Sequence, residues 1–289
     1  MEAIRTASAP GKGHIERASF NEALEQTADA VGVTYEAGVV GGVSGVWCRP
    51  EEARQGAIIL YLHGGAYVAG TAHAFRHFAG QIATRAGAAA FVPDYRLAPE
   101  HRFPAAVDDA RAVYRGLNEQ GASAIAIVGD SAGGGLALVL LSIAHAEAIA
   151  GAGLAPRAGA SMSPWADLAL TAPSLKERAD ADPFLTADAL ARAAEQYLDG
   201  QDPQAALASP LYGSLSGLPP IQLHTGSDEV LRDDARRYAE RAGAAGVDAA
   251  VHVWEGMPHV FQSNVGKLAA ADQALDLLGA FLREGFSGK

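Results

Sequence analysis

The 289-residue chain has a single cysteine, Cys48, so it can form no intrachain disulfide and cannot supply a zinc cluster. No CxxC pair or clustered His and Cys spacing appears, so no metal site is expected and nothing points to an oxidising compartment. Basic residues are scarce as well. The 22 Lys plus Arg against 33 Asp plus Glu leave a formal net charge of -11, which repels phosphate backbones and excludes nucleic acid as an expected partner. Long apolar runs are also missing. The most apolar one, Leu136 to Ala144, is far shorter than the roughly 20 residues a bilayer requires, and His145 and Glu147 follow it directly. It reads as a buried core helix, and no membrane insertion is expected. Residues Met1 to Gly13 carry no apolar core of signal-peptide length, being interrupted by one proline and two glycines, so the expected location is cytoplasmic.

What is present is an ordinary globular composition, 49% hydrophobic and 19% charged, long enough to bury a core without a disulfide or metal staple. Short Val/Ile/Ala-rich runs at Ala57 to Leu62, Ala88 to Val92, Ala124 to Val128, Ala158 to Met162, Ile221 to Thr225 and Val247 to Trp254 read as strands. Longer segments of helical spacing separate them, the pattern of an α/β fold with a mostly parallel sheet and helices on both faces. Val33 to Cys48, broken by Gly41 and Gly42, reads as an antiparallel pair that starts the sheet and brings it to eight strands. Thr71 is the expected N-cap of a helix over Ala72 to Ala86, Pro104 opens a helix to Asn118, and Asp233 opens one ending near Gly243. Two stretches break the rhythm. Residues 1–32 hold one amphipathic helix, Phe20 to Val31, and residues 166–207 hold Pro173, Pro183, Pro203 and the helix-like Thr186 to Tyr197. Together they are expected to form a small helical cap on a core made of residues 33–165 and 208–289, against the plainer reading of peripheral helices.

Gly129-Asp130-Ser131-Ala132-Gly133 carries the chemistry. A lone G-x-S-x-G is weak in a chain with 33 glycines, but this one follows an apolar strand and opens a strongly helical run, the setting of a nucleophile elbow. There the Ser131 hydroxyl would stand above the sheet at a helix N-terminus, where the dipole and free amides favour a developing anion. A plain helix N-cap is the competing role for Ser131. A serine hydroxyl needs a base, and the base needs an acid to orient it. After the strand at 221–225 comes Gly226-Ser227-Asp228-Glu229, and after the last strand comes Glu255-Gly256-Met257-Pro258-His259. Of the nine histidines, His259 alone lies in such a loop beyond the candidate acids. Asp228 is the acid nearest the strand end, with Glu229 its competitor, while Asp233 and Asp234 read as first-turn acids of the next helix. The order Ser, acid, His, each at the carboxyl end of a strand, is that of a Ser-His-Asp hydrolase built on such a sheet. His63-Gly64-Gly65-Ala66-Tyr67 follows another strand, and its small residues let main-chain amides reach a substrate carbonyl, with the amide of Ala132 as a further donor. Tyr67, Phe75, Trp165, Phe184 and Phe261 are the aromatics expected to line the substrate cavity, with plain packing as the alternative for each. Asp94, Arg96 and Glu100 are read as structural polar links.

HGGAY at 63–67, DYRLAPEHRFPAAVDD at 94–109, GDSAGGGLA at 129–137, SPWADL at 163–168 and SDEVLRDD at 227–234, with His259, strongly resemble the hormone-sensitive-lipase-like (family IV) esterases of the α/β-hydrolase fold. The motifs span most of the chain. The resemblance implies Ser131 as nucleophile, Asp228 as acid and His259 as base, with Gly64, Gly65, Ala66 and Ala132 forming the oxyanion hole. It implies a serine carboxylesterase for short- to medium-chain esters, acting without cofactor or metal, and a homodimer joined through the last strand and its neighbouring helices. Two departures stand out: Ala66 replaces the third glycine of the HGGG motif, and the N-terminal segment is short, which should leave an open mouth tolerant of bulky alcohol groups. An acetyl-hydrolase or lactone hydrolase of a natural product is the nearest alternative. A non-catalytic small-molecule-binding protein on the same scaffold is disfavoured by the presence of His259. A long-chain lipase is disfavoured by the lack of an apolar lid.

Overall fold

The computed structural model describes residues 15–288. Residues 1–14, which carry the reading of the N-terminus as leaderless and the first part of the 1–32 segment, lie outside the described residues. The chain runs α1 (Arg17–Glu25), β1 (Val33–Val40), β2 (Val43–Pro50), β3 (Ala57–Leu62), α2 (Ala72–Ala86), β4 (Ala89–Pro93), α3 (Ala105–Glu119), β5 (Ala124–Asp130), α4 (Ser131–Ile149) and β6 (Ala158–Met162). It continues through α5 (Ser174–Glu177), α6 (Ala187–Leu198), β7 (Ile221–Gly226), α7 (Arg232–Ala244), β8 (Ala249–Trp254) and α8 (Ala269–Ser287), with 3-10 turns at Pro210–Tyr212 and Phe261–Asn264.

The eight strands form one sheet in the order β1-β2-β4-β3-β5-β6-β7-β8. β2 runs antiparallel to both β1 and β4, and every other pairing is parallel. Alternation along the strands divides the core in two. Leu60, Leu62, Ile125 and Ile127 face the cluster formed with α3, α4 and α7, whereas Ile59, Tyr61, Ala126 and Val128 face α2 and α8. The parallel arrangement brings the carboxyl ends of β3, β5, β6, β7 and β8 to one rim, where the loops that carry the candidate chemistry lie together.

Helix α4 is apolar on all sides and long enough to cross a bilayer by length and composition, but Leu136 to Leu141 and Ala144 are buried between the sheet and α3. It is a core helix, as its sequence suggested. Thr71 and Thr186 cap α2 and α6 through side-chain bonds to Ala74 N and Ala189 N. The first helix differs from expectation: it spans Arg17–Glu25 and stops short of Val31, which is 93% exposed. Glu16 caps its start by accepting from the amides of Ala18 and Ser19, the chain turns at Gln26 and Thr27, and Ala28 O and Asp29 O then accept from Gln81 Nε2. The segment 166–207 lies between β6 and β7, and Leu190, Ala193, Ala194, Tyr197 and Leu198 of α6 pack into the core on the α4 side.

Candidate active site

At the end of β5 the chain turns directly into α4 through Ser131, whose φ of 53° lies in the left-handed region. A side chain rarely tolerates this, and the turn closes because position 133 is glycine: a Cβ there would fall 2.2 Å from the carbonyl oxygens of Leu62 and His63. The strained turn lifts the Ser131 hydroxyl to the sheet rim, where it meets His259 Nε2 at 2.9 Å. His259 Nδ1 lies 2.7 Å from Glu229 Oε2. A carboxylate can only accept, so Nδ1 carries the proton and Nε2 is left to accept from the serine hydroxyl.

The acid in contact with the histidine is therefore Glu229 and not Asp228. The turn after β7 explains the difference. The amides of Ser227 and Asp228 bond to Trp254 O and Met257 O at 2.8 and 3.1 Å, while the Asp228 carboxylate accepts from the neighbouring Ser227 Oγ at 3.3 Å. Glu229 is the side chain that comes back under the rim, completely buried. Its second oxygen, Oε1, accepts from the Thr225 hydroxyl, from Gly226 N at 2.6 Å and from Ser163 Oγ at 3.0 Å. Ser163 in turn accepts from Val260 N at 3.0 Å, so one hydroxyl ties the acid to the residue after His259. Burial alone would lower the His259 pKa, but the hydrogen bond and charge of Glu229, joined by Asp182 and Asp130, outweigh it and hold the imidazole above its ordinary value.

The loop after β3 departs from expectation at one position. Gly64 N donates to Asp130 Oδ1 at 2.9 Å, and Tyr61 Oη donates to the same oxygen at 2.6 Å, so the Gly64 amide is committed inward and unavailable to a substrate. Burial pushes the Asp130 carboxyl up to about 6 against those two bonds. Gly65, Ala66 and Tyr67 follow with φ of 119°, 54° and 63°, and the tight turn is closed by Val68 N and Ala69 N donating to Gly65 O. The amides of Gly65, Ala66 and Ala132 have no protein acceptor among the described residues. His63, stacked between Phe75 and Tyr95, is buried, and that burial pushes its pKa down to about 4. It is a neutral structural ring.

The aromatics fall into two groups. Phe75 and Phe261 are wholly inaccessible, Phe75 against Tyr61 and His63 and Phe261 against Trp254, so neither lines an open cavity and both are packing residues. Tyr67 and Trp165 are almost as buried: Tyr67 stacks on Tyr197 of α6 with ring centroids 3.9 Å apart and lies beside Trp165, so both pack in the core between the loop after β3 and α6. Phe184 keeps partial exposure in the 166–207 segment. Asp94 accepts from Ala72 N at the start of α2, and Arg96 forms a bidentate pair with Asp109, in line with their reading as structural links. Three contributors went unrecognised in the sequence: Ser163, visible only as part of SPWADL; Asp182, which nothing distinguished from the other surface-type acids; and Arg17, whose partners are 51 to 83 residues away.

Comparison with known proteins agrees with this geometry. A family model described as alpha/beta hydrolase fold matches residues 59–263. An acetyl-hydrolase of Streptomyces hygroscopicus is 43% identical over 248 residues, covering 84% of this chain and 81% of that protein. Among solved structures, the esterase EstE5 superposes with a TM-score of 0.91 at 38% identity, covering 99% of this chain and 97% of its own. An esterase from the bacterial hormone-sensitive lipase family gives a TM-score of 0.90 at 40% identity, with 98% and 94% covered. The chain belongs to the α/β-hydrolase-fold family, among its hormone-sensitive-lipase-like esterases, and is a carboxylic ester hydrolase.

Proposed function

We propose that the chain hydrolyses short- to medium-chain carboxylic esters through a Ser131, His259 and Glu229 triad and an acyl-enzyme. The observation that carries this reading is the unbroken path from buried Glu229 through His259 to Ser131 on a strained elbow. His259 takes the Ser131 proton as the oxygen attacks the ester carbonyl, and Glu229 stabilises the imidazolium without accepting its proton. The amides of Gly65, Ala66 and Ala132 receive the oxyanion. His259 then returns the proton to the departing alcohol, and water repeats the sequence on the acyl group.

The acetyl-hydrolase name of a 43% identical relative favours a second, narrower reading, removal of an acetyl group from a natural product. A p-nitrophenyl ester series from acetate to palmitate, run beside acetylated amines and lactones, separates the two. Turnover peaking at short acyl chains on simple esters is the expected result, with Ser131→Ala lower by several orders of magnitude. A maximum at palmitate, or near-native rates in Ser131→Ala, would overturn it. Preference for acetylated amines over every simple ester would move the second reading to the front. Small-ester preference combined with poor turnover of bulky alcohol esters would remove the proposed open mouth.

A homodimer and a cytoplasmic location belong to the same proposal. β8 is the last strand of the sheet, with Val253 45% exposed, and supports pairing through that edge. Light scattering tests the first, and cell fractionation the second.

A further inference from the structure

Asp182, in the segment between β6 and β7, is a carboxylate with no exposure to solvent. Burying an anion is costly unless its oxygens are satisfied. Here they are satisfied by main-chain amides from two separate parts of the chain. Oδ1 accepts from Phe184 N and Leu185 N at 2.8 and 2.9 Å, within its own segment. Oδ2 accepts from Val230 N at 2.9 Å, the amide that immediately follows Glu229. One carboxylate thus joins the segment carrying Phe184, the partly exposed aromatic, to the loop that presents the acid. Glu229 after β7 touches His259, and the charges of Asp130 at the end of β5 and of Asp182 in the 166–207 segment act on the imidazole in the same direction.

We propose that Asp182 is a positioning residue for ester hydrolysis, fixing the Glu229 loop through Val230 N and adding its own buried charge to that of Glu229 beside His259. The inference rests on the triad reading above. Its physical logic is that a buried negative charge acts on an imidazole at longer range than a hydrogen bond, because little solvent lies between them to screen it. Removing the charge while keeping the shape should therefore move the protonation of His259, and a residue that only braces the fold should not.

The test compares wild type, Asp182→Asn and Asp182→Glu by the pH profile of kcat/KM on p-nitrophenyl acetate, with phosphonate labelling of Ser131 in each. In Asp182→Asn the acid limb should move to lower pH by roughly half a unit or more. Its plateau should fall about tenfold through kcat, because an amide turned to one set of donors must oppose the other. Asp182→Glu keeps the charge and should keep the limb near the wild-type position even where its plateau falls. If the asparagine variant is recovered unfolded, the glutamate variant still decides: a limb that moves as far as half a unit with the charge retained would overturn the proposal. An active, labelled wild type whose Asp182→Asn profile has an unmoved limb would overturn this inference alone. A wild type that neither turns over esters nor labels at Ser131 would overturn the triad reading and this inference with it.

Discussion

At the residue scale, a single position separates the two acids of the loop after β7, and the hydrogen bonds assign them different work. Glu229 is wholly buried with both oxygens engaged, one on His259 and one on three donors. Asp228 lies at the turn and meets Ser227. Glu229→Gln should lower kcat on the order of 10³ to 10⁴-fold by favouring the wrong imidazole tautomer, and Asp228→Asn should change it less than about threefold. Equal losses in steady-state assays of the two variants would contradict the assignment. The pH dependence follows from the same contact. A general base must be neutral, so kcat/KM should rise as pH increases through the His259 pKa, which lies above the ordinary value of 6.5. Glu229→Gln should move that acid limb to lower pH, since an anion that favoured the imidazolium has gone. Read from the sequence, the acid is Asp228, the one nearest the strand end, with Glu229 as its competitor, whereas the contact with His259 is made by Glu229. Their order depends on how far β7 runs and on which amides the turn uses, and both are set by pairing with β8 and with Trp254 and Met257, contacts that local residue patterns do not encode.

At the scale of elements, the loop after β3 shows what the sequence made readable and what it concealed. Strand, glycine pair and following helix were legible from composition and spacing, because the strands at 57–62 and 158–162 and the cap at Thr71 rest on short-range chemistry. The commitment of the Gly64 amide to Asp130 was not, since the two residues are 66 positions apart. Nor was the burial of Phe75 and Phe261, which depends on how α2 and the 3-10 turn after His259 sit against the sheet. Gly65 is the position where the loop tolerates least. Its φ is 119°, and a Cβ there would fall 2.2 Å from Ala69 O. Gly65→Ala should therefore reopen the turn that aims the Gly65 and Ala66 amides, lowering kcat at least about a hundredfold with little change in KM. Wild-type kcat in that variant would place the oxyanion donors elsewhere.

At the scale of the whole molecule, the site is assembled from segments far apart in the chain, and Arg17 ties α1 to the loop after β3. Arg17 of α1 donates to Val68 O at 2.6 Å, to Ala98 O at 2.8 Å and to both oxygens of Glu100 at 2.9 and 2.6 Å. Val68 belongs to the turn after Gly65, so α1 braces the loop that presents the oxyanion donors. The pair is half exposed and screened by solvent, so it should add little to global stability. Arg17→Ala should leave the melting temperature within a few degrees while reducing kcat/KM by roughly three- to tenfold, an effect that shrinks as salt screens the wild-type pair. Unchanged kcat/KM in stopped-flow assays at low and high salt would show that the brace does not reach the site. Ester hydrolysis through this triad requires Ser131 to become acylated, and the most direct measurement is rapid acid quench during p-nitrophenyl butyrate turnover, followed by peptide mapping of the acyl group. The expected result is one butyryl group per chain, on Ser131 and accumulating more slowly in Glu229→Gln. Turnover with no acyl group on Ser131, or with the acyl group on another residue, would contradict Ser131 as the nucleophile.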